Sequence, residues 1–196
     1  KEKMLHQLIN IDHQWFIAIN SLHNSFFDEV MYWISYKYTW IPLYIIFIYS
    51  IIKKFKSQSW IIILFVILTI ILTDQLSVLI KDTFCRLRPS HNPLFENLIH
   101  LNHGNKGGLY GFVSSHAANT AGLSTFLIFF PIFRSKNAVF LLISWTLLVS
   151  YSRIYNGLHY PTDVIGGIIL GFFIGLCTTY ATKIVILKNK KFKLKK

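Results

Sequence analysis

A chain of 196 residues that is 53% hydrophobic, with a mean hydropathy of +0.46, carries more apolar surface than a soluble domain of this size can bury. A soluble helical protein would have to hide four or five all-round apolar helices behind very little polar surface. The formal net charge of +12 comes without a basic groove of interleaved aromatics, which argues against a nucleic-acid partner, and two cysteines, Cys85 and Cys177, provide neither a disulfide framework nor a four-ligand zinc site.

At the start of the chain, residues 4–19 scatter Leu5, Leu8, Ile9, Ile11, Trp15, Phe16 and Ile19 among Gln7, Asn10, Asp12 and Gln14, the pattern of an amphipathic helix lying in a membrane interface. A sixth span is the alternative reading there. Five mainly apolar stretches follow, at 27–52, 59–80, 114–133, 137–155 and 160–187. The clearest is 59–80, aliphatic almost without a break from Ile61 to Ile71 and charged only at Asp74, close to the roughly 20 residues that a helix needs to cross hydrocarbon. The expected fold is all-α: a polytopic membrane bundle of about five transmembrane helices plus the N-terminal interfacial helix. One membrane-embedded domain would occupy 1–187, with a frayed basic tail at 188–196.

Charge sets the expected orientation. Lys53, Lys54 and Lys56 follow the first span, Arg134 and Lys136 the third, and Lys188, Lys190, Lys191, Lys193, Lys195 and Lys196 the fifth, so with five spans all of them share one side. The positive-inside rule assigns that side to the cytoplasm, with help from anionic lipid. The opposite side, facing the periplasm if the membrane is a bacterial inner membrane, receives the N-terminal segment, residues 82–113 and the short turn at 156–160.

Three polar stretches fall on that outer side. The first, 81–89, continues the second span: Lys81 and Arg88, seven apart, would share a face about 10 Å apart along a regular helix, until Pro89 forces an end near Arg88. Lysine offers a compact charge and arginine a planar fork for phosphate oxygens, although snorkelling to headgroups is an equally good account of basic residues at a span end. In the second stretch, Ser114 and Ser115 precede His116 at a helix start; they can cap that helix, or the same geometry can aim free N–H groups at an anion beside a proton-exchanging imidazole. The third holds Arg153, His159 and Asp163. Asp163, four residues after His159, can hold one imidazole nitrogen protonated and direct the other as a nucleophile, while Pro161 suits the first turn of a new helix. A lone interfacial histidine is commonly an ordinary boundary residue, but the company of His116, Arg153 and Asp163 makes that account weaker. The set suits phosphoryl transfer at a bilayer surface.

With these residues in view the chain resembles the type 2 phosphatidic acid phosphatase family. Residues 81–89 have its K-x6-R-P form, 114–116 match its serine-to-histidine block, and 152–163 have its S-R-x5-H-x3-D form. The resemblance implies His159 as the attacking nucleophile, Asp163 as its orienting partner and His116 as general acid. It also implies Lys81, Arg88, Ser114 and Arg153 as phosphate ligands, helped by the Ser115 backbone N–H, with no metal and no other cofactor. The block departs from the usual P-S-G-H, having Val113 for proline and Ser115 for glycine; if that position needs a positive φ or very close phosphate approach, serine costs something there.

The expected substrate is a lipid phosphate or diphosphate, reached at the outer interface with its tail still in the bilayer. Undecaprenyl diphosphate comes first, because the loop at 90–110 is compact and has no dedicated headgroup domain, with lipid A phosphate and phosphatidylglycerophosphate as alternatives. His91, His100 and His103 in that loop can contact a headgroup but lack metal-site spacing. Vanadate-dependent haloperoxidation is disfavoured by the short membrane-embedded chain. A non-enzymatic lipid-binding scaffold or transporter is disfavoured because the ionisable residues gather at one side instead of continuing across the bundle.

Overall fold

The computed structural model describes residues 2–130 and 132–193, an all-α bundle. Its helices are α1 (Glu2–Asn20), α2 (Ser25–Ser35), α3 (Ile41–Phe55), α4 (Ser59–Phe84), α5 (Ser115–Phe129), α6 (Lys136–Tyr155) and α7 (Pro161–Lys193).

Among the described residues three helical segments are long and apolar enough to cross a membrane: Lys37–Phe84, Lys136–Tyr155 and Pro161–Lys188. The expectation of about five transmembrane helices plus an interfacial helix is corrected accordingly. The stretch 27–52 is broken after Ser35 by a 3-10 turn at Lys37–Trp40, and α3 runs on into α4 through only the short turn Lys56–Gln58. The stretch 114–133 yields α5 with 15 residues, roughly 22 Å at the helical rise and short of the roughly 30 Å hydrocarbon layer. Nor does α1 lie apart in the interface. Asp12, Phe16 and Asn20, spaced four apart on one face, are all buried where α1 packs on α6 and α7. The expected tail begins as a continuation of α7 as far as Lys193, and 194–196 lie outside the described residues.

Polarity in α4 is inverted relative to a soluble helix. Thr69, Thr73, Ser77 and Lys81, again four apart, form its buried face, whereas Trp60, Leu64, Ile67, Ile71 and Leu79 point outward. In lipid the outward face needs no polar groups, while inward hydroxyls bridge helices: Thr69 to Thr178 at 2.8 Å and Thr73 to Asn119 at 2.6 Å. Helix α5 is buried along its length because α7 meets it through glycines. A Cβ on Gly167 would sit 2.5 Å from the Ser114 carbonyl oxygen, and one on Gly171 2.2 Å from that of Ala118. No larger residue fits at that separation, so α5 and α7 touch backbone to backbone.

The two ends of the bundle differ. At one, the α3–α4 turn, the α5–α6 link and the later part of α7 converge: Phe55, Phe130, Arg134 and Lys183 line one cavity, and Lys54 Nζ donates to the Ile132 carbonyl at 3.3 Å. The basic residues around Lys54 and Arg134 therefore lie at one end, beside the later part of α7. At the other end lie the start of α5, the close of α6, the start of α7 and the connection 85–114.

Candidate active site

That second end gathers all eight residues singled out from the sequence. Lys81, in the last turns of α4, is 9% exposed and its Nζ donates to Ser115 Oγ at 2.6 Å, with Ser77 Oγ 3.4 Å away. Asp74 makes no ion pair with it among the described residues; hydroxyls hold the ammonium instead. Helix α4 stops at Phe84, where Cys85 takes a left-handed conformation (φ 48°) and donates its N–H to the Lys81 carbonyl. Lys81 and Arg88 are therefore not on one continuing helix. Leu87 forms an antiparallel bridge with Tyr110, Arg88 N–H reaching the Leu109 carbonyl and Gly111 N–H the Arg86 carbonyl, and this extended pairing carries Arg88 back over the site.

Arg88 is steered by carbonyls: Nε donates to Tyr110 O at 3.0 Å and Nη1 to Leu158 O at 3.5 Å. The loop comes close enough to need glycine. A Cβ on Gly107 would lie 2.9 Å from Arg88 Nη1 and one on Gly111 2.8 Å from Asp163 Oδ2.

Ser114 is the N-cap residue of α5, yet its side chain does not cap the helix; Oγ is buried with no hydrogen-bond partner among the described residues. Ser115 opens the helix with an ordinary backbone, so serine in the usual glycine position carries no left-handed strain. Its hydroxyl is committed to Lys81 and Ser77. The first-turn N–H groups of α5 and a free buried hydroxyl together make an anion-binding corner.

Across from it, Arg153 at the end of α6 is 8% exposed, donates through Nη1 to Ser35 Oγ of α2, and leaves Nε without a partner among the described residues. His116 and Arg153 line one cavity of about 330 Å³, together with Tyr32, Tyr36, Asn102 and Asn156. A turn through Gly157 (φ 79°) leads to His159, which is 1% exposed, with Nδ1 3.4 Å from Asp163 Oδ2. Asp163 also accepts from Tyr160 N–H at 3.0 Å. Burial first, then the charges of Arg88, Arg153 and Lys81, hold the His159 imidazole well below its ordinary pKa. It is neutral at neutral pH, as a nucleophile must be. None of the loop histidines His91, His100 and His103 lines the cavity.

Arg86 and Asp12 were not legible as site residues. Arg86 Nη1 binds Asp163 Oδ1 at 2.7 Å, Nη2 binds Asp12 Oδ2 at 2.5 Å, and the guanidinium lies 4.1 Å from the Tyr160 ring centroid. Asp12, 4% exposed, accepts from the Thr162 N–H at 2.9 Å and so caps the start of α7 from α1. The carboxylate beside His159 is thus fixed by an arginine that a second carboxylate holds in turn. The signal was faint: Arg86 is two residues before Arg88, a shared side only once the chain is extended, and Asp12 is a single acid amid polar and apolar residues in the middle of α1.

Residues 58–186 match the family model described as PAP2 superfamily. A protein of Porphyromonas gingivalis named lipid A 4'-phosphatase is 36% identical over 170 residues, which are 86% of this chain and 71% of that protein. Its namesake in Bacteroides thetaiotaomicron is 36% identical over 176 residues, 88% of this chain and 77% of that protein. In fold, the crystal structure of a transmembrane PAP2 type phosphatidylglycerolphosphate phosphatase from Bacillus subtilis superposes with a TM-score of 0.70 at 22% identity, covering 91% of this chain and 88% of that one. The motifs, the architecture and these likenesses agree: the chain belongs to the type 2 phosphatidic acid phosphatase superfamily and is a membrane lipid phosphatase.

Proposed function

We propose that this phosphatase removes a phosphate monoester from a sugar-based lipid headgroup of the lipid A type, at the outer face of the membrane. The observation that carries this reading is the 36% identity to two lipid A 4'-phosphatases over most of the chain. It displaces undecaprenyl diphosphate, which the compact loop at 90–110 had put first. Headgroup room does not depend on that loop alone, since α2 contributes Tyr32 and Ser35, and its C-cap Tyr36, to the cavity beside His116. Aromatic rings and the amides of Asn102, Asn105 and Asn156 suit a hydroxylated ring better than a bare diphosphate. An apolar cavity of about 440 Å³, lined among others by Phe47, Ile51, Val66 and Leu123, shares Lys37 with the site cavity and is suited to an acyl chain. The basic end, opposite the site, belongs in the cytoplasm by the positive-inside rule.

In the reaction, the imidazole nitrogen of His159 turned away from Asp163 attacks phosphorus in line. The bond from phosphorus to the sugar oxygen breaks and His116 gives that oxygen its proton. Water then attacks the phosphohistidine, His116 takes the proton, and inorganic phosphate leaves with His159 restored. Lys81, Arg88, Arg153, Ser114 Oγ and the first N–H groups of α5 bind the equatorial oxygens as charge spreads over them. The three cations supply the electrostatic stabilisation, so the chemistry runs in EDTA and vanadate inhibits it.

A phosphate-release panel on detergent-solubilised protein tests the reading. Lipid A phosphate is expected to give the highest kcat/KM, ahead of undecaprenyl diphosphate and phosphatidylglycerophosphate. A preference for the prenyl diphosphate would overturn the headgroup assignment, and no turnover on any of the three would return the chain to a lipid-binding role.

A further inference from the structure

A second cluster of metal-ligating side chains lies outside the catalytic set. His23 in the α1–α2 turn, Asp28 in the first turn of α2 and His100 in the long outer connection each offer one ligand atom, and the three atoms lie within 4.8 Å of one another. Two imidazoles and a carboxylate are the donor set of a three-ligand zinc site with an open fourth position.

The geometry within the cluster is compatible with co-ligation. His100 Nε2 is 3.0 Å from Asp28 Oδ1, but the contact is out of line and the nitrogen makes no hydrogen bond among the described residues. Two donors each about 2.1 Å from one zinc in tetrahedral array sit roughly 3.4 Å apart, close to this spacing. The His23 ring is stacked on that of His100 with centroids 4.0 Å apart, and as an exposed side chain it can swing to complete the set without disturbing the core.

Two of the three ligands are already held in place from behind. Asn20, 2% exposed, closes a reciprocal pair with the His100 backbone, Nδ2 donating to His100 O at 2.9 Å and Oδ1 accepting from His100 N–H at 2.8 Å. The Tyr155 hydroxyl donates to Asp28 Oδ1 at 2.9 Å and accepts from the Asn24 N–H at 3.1 Å. Beneath them Gly157 packs so closely that a Cβ would lie 2.8 Å from the His100 carbonyl oxygen. The Asn20 pair fixes the backbone that carries His100, and the Tyr155 hydroxyl orients the Asp28 carboxylate, as supporting hydrogen bonds do for metal ligands.

We propose that His23, Asp28 and His100 bind a divalent transition metal ion, zinc by donor type, as a clasp at the outer face. It would join the α1–α2 turn, α2 and the outer connection, the latter two being elements that line the site cavity through Tyr32, Ser35, Asn102 and Asn105. The ion would take no part in phosphoryl transfer, and turnover in EDTA is compatible with it.

Zinc titration of untagged, chelator-treated protein, with a competing fluorescent chelator as readout, tests this. One equivalent should bind, and should raise the thermal midpoint. The exposed-ligand variant His23→Ala and the variant His100→Gln should each weaken binding by at least about 10-fold, and Tyr155→Phe, which removes the donor behind Asp28 together with the acceptor for the Asn24 N–H, by about 10-fold. A His116→Ala/His159→Ala protein should bind zinc as the wild type does, separating this site from the catalytic imidazoles. The proposal is overturned if no equivalent binds, if His23→Ala with His100→Gln leaves affinity unchanged, or if the catalytic-histidine variant is the one that loses it.

Discussion

The two ends of the bundle use the same side chains for opposite purposes. At the basic end Lys53, Lys54 and Lys56 are exposed, and Lys53 rests its ammonium 5.7 Å from the Tyr49 ring centroid. At the site end Lys81 and Arg153 are buried and fixed by serine hydroxyls, and Arg88 is threaded through backbone carbonyls. A solvated lysine marks a side of the membrane and keeps its water. A desolvated cation among neutral donors and acceptors keeps an unspent field, which is what a phosphoryl group meets on entry.

The sharpest way to break the comparison is at its centre. Replacing His159 with Ala should lower phosphate release by roughly 10⁴-fold or more while the bundle still assembles, because the proposed nucleophile is gone. Near-normal turnover would remove His159 from the mechanism. Next in size, Lys81→Ala and Arg153→Ala should each cost roughly 10²- to 10³-fold in kcat, the range for loss of one preorganised charge at the transition state. Single-turnover assays on detergent-purified protein would measure it.

Arg86→Gln should cost less, about 10-fold in kcat with KM little changed, since it touches Asp163 and not the substrate. An unchanged kcat would reduce the Asp12–Arg86–Asp163 chain to a purely structural tie. Smaller again is a shift in pH dependence. Because burial and, after it, the neighbouring cations depress the His159 pKa, the acidic limb of kcat/KM should lie below pH 6.5, the ordinary imidazole value. Arg88→Gln removes one cation, makes the imidazolium less unfavourable and should move that limb upward; a downward move would contradict the assignment. At the bottom of the scale, Lys53→Ala and Lys56→Ala should leave kcat/KM within about twofold, surface charges being nearly neutral energetically.

How far the sequence could be read follows from which residues interact locally. His159 with Asp163, and the α7 start at Pro161, depend on neighbours within four residues, and spacing alone exposed them. Arg88 lies beside the other singled-out residues but on a different backbone from the continuing helix expected, because the left-handed turn at Cys85 and the bridge to Tyr110 depend on a strand partner more than twenty residues away. Span counting failed for a related reason. Hydropathy registers apolar length but is blind to a break such as Ser35 to Lys37, and to a 15-residue α5 that is apolar because protein surrounds it. Asp12 was invisible because its partners, Arg86 and Thr162, are 74 and 150 positions away.

The glycine seam between α5 and α7 has one more consequence. His116 rides on α5 and His159 sits just ahead of α7, so the distance between the proposed acid and the proposed nucleophile is gauged by main chain resting on main chain at Gly167 and Gly171. Side-chain packing yields when a bilayer thickens, thins or cools; such a seam has no rotamers to yield. The pair of histidines can tilt with the membrane as one rigid caliper, holding its opening while the lipid around it changes.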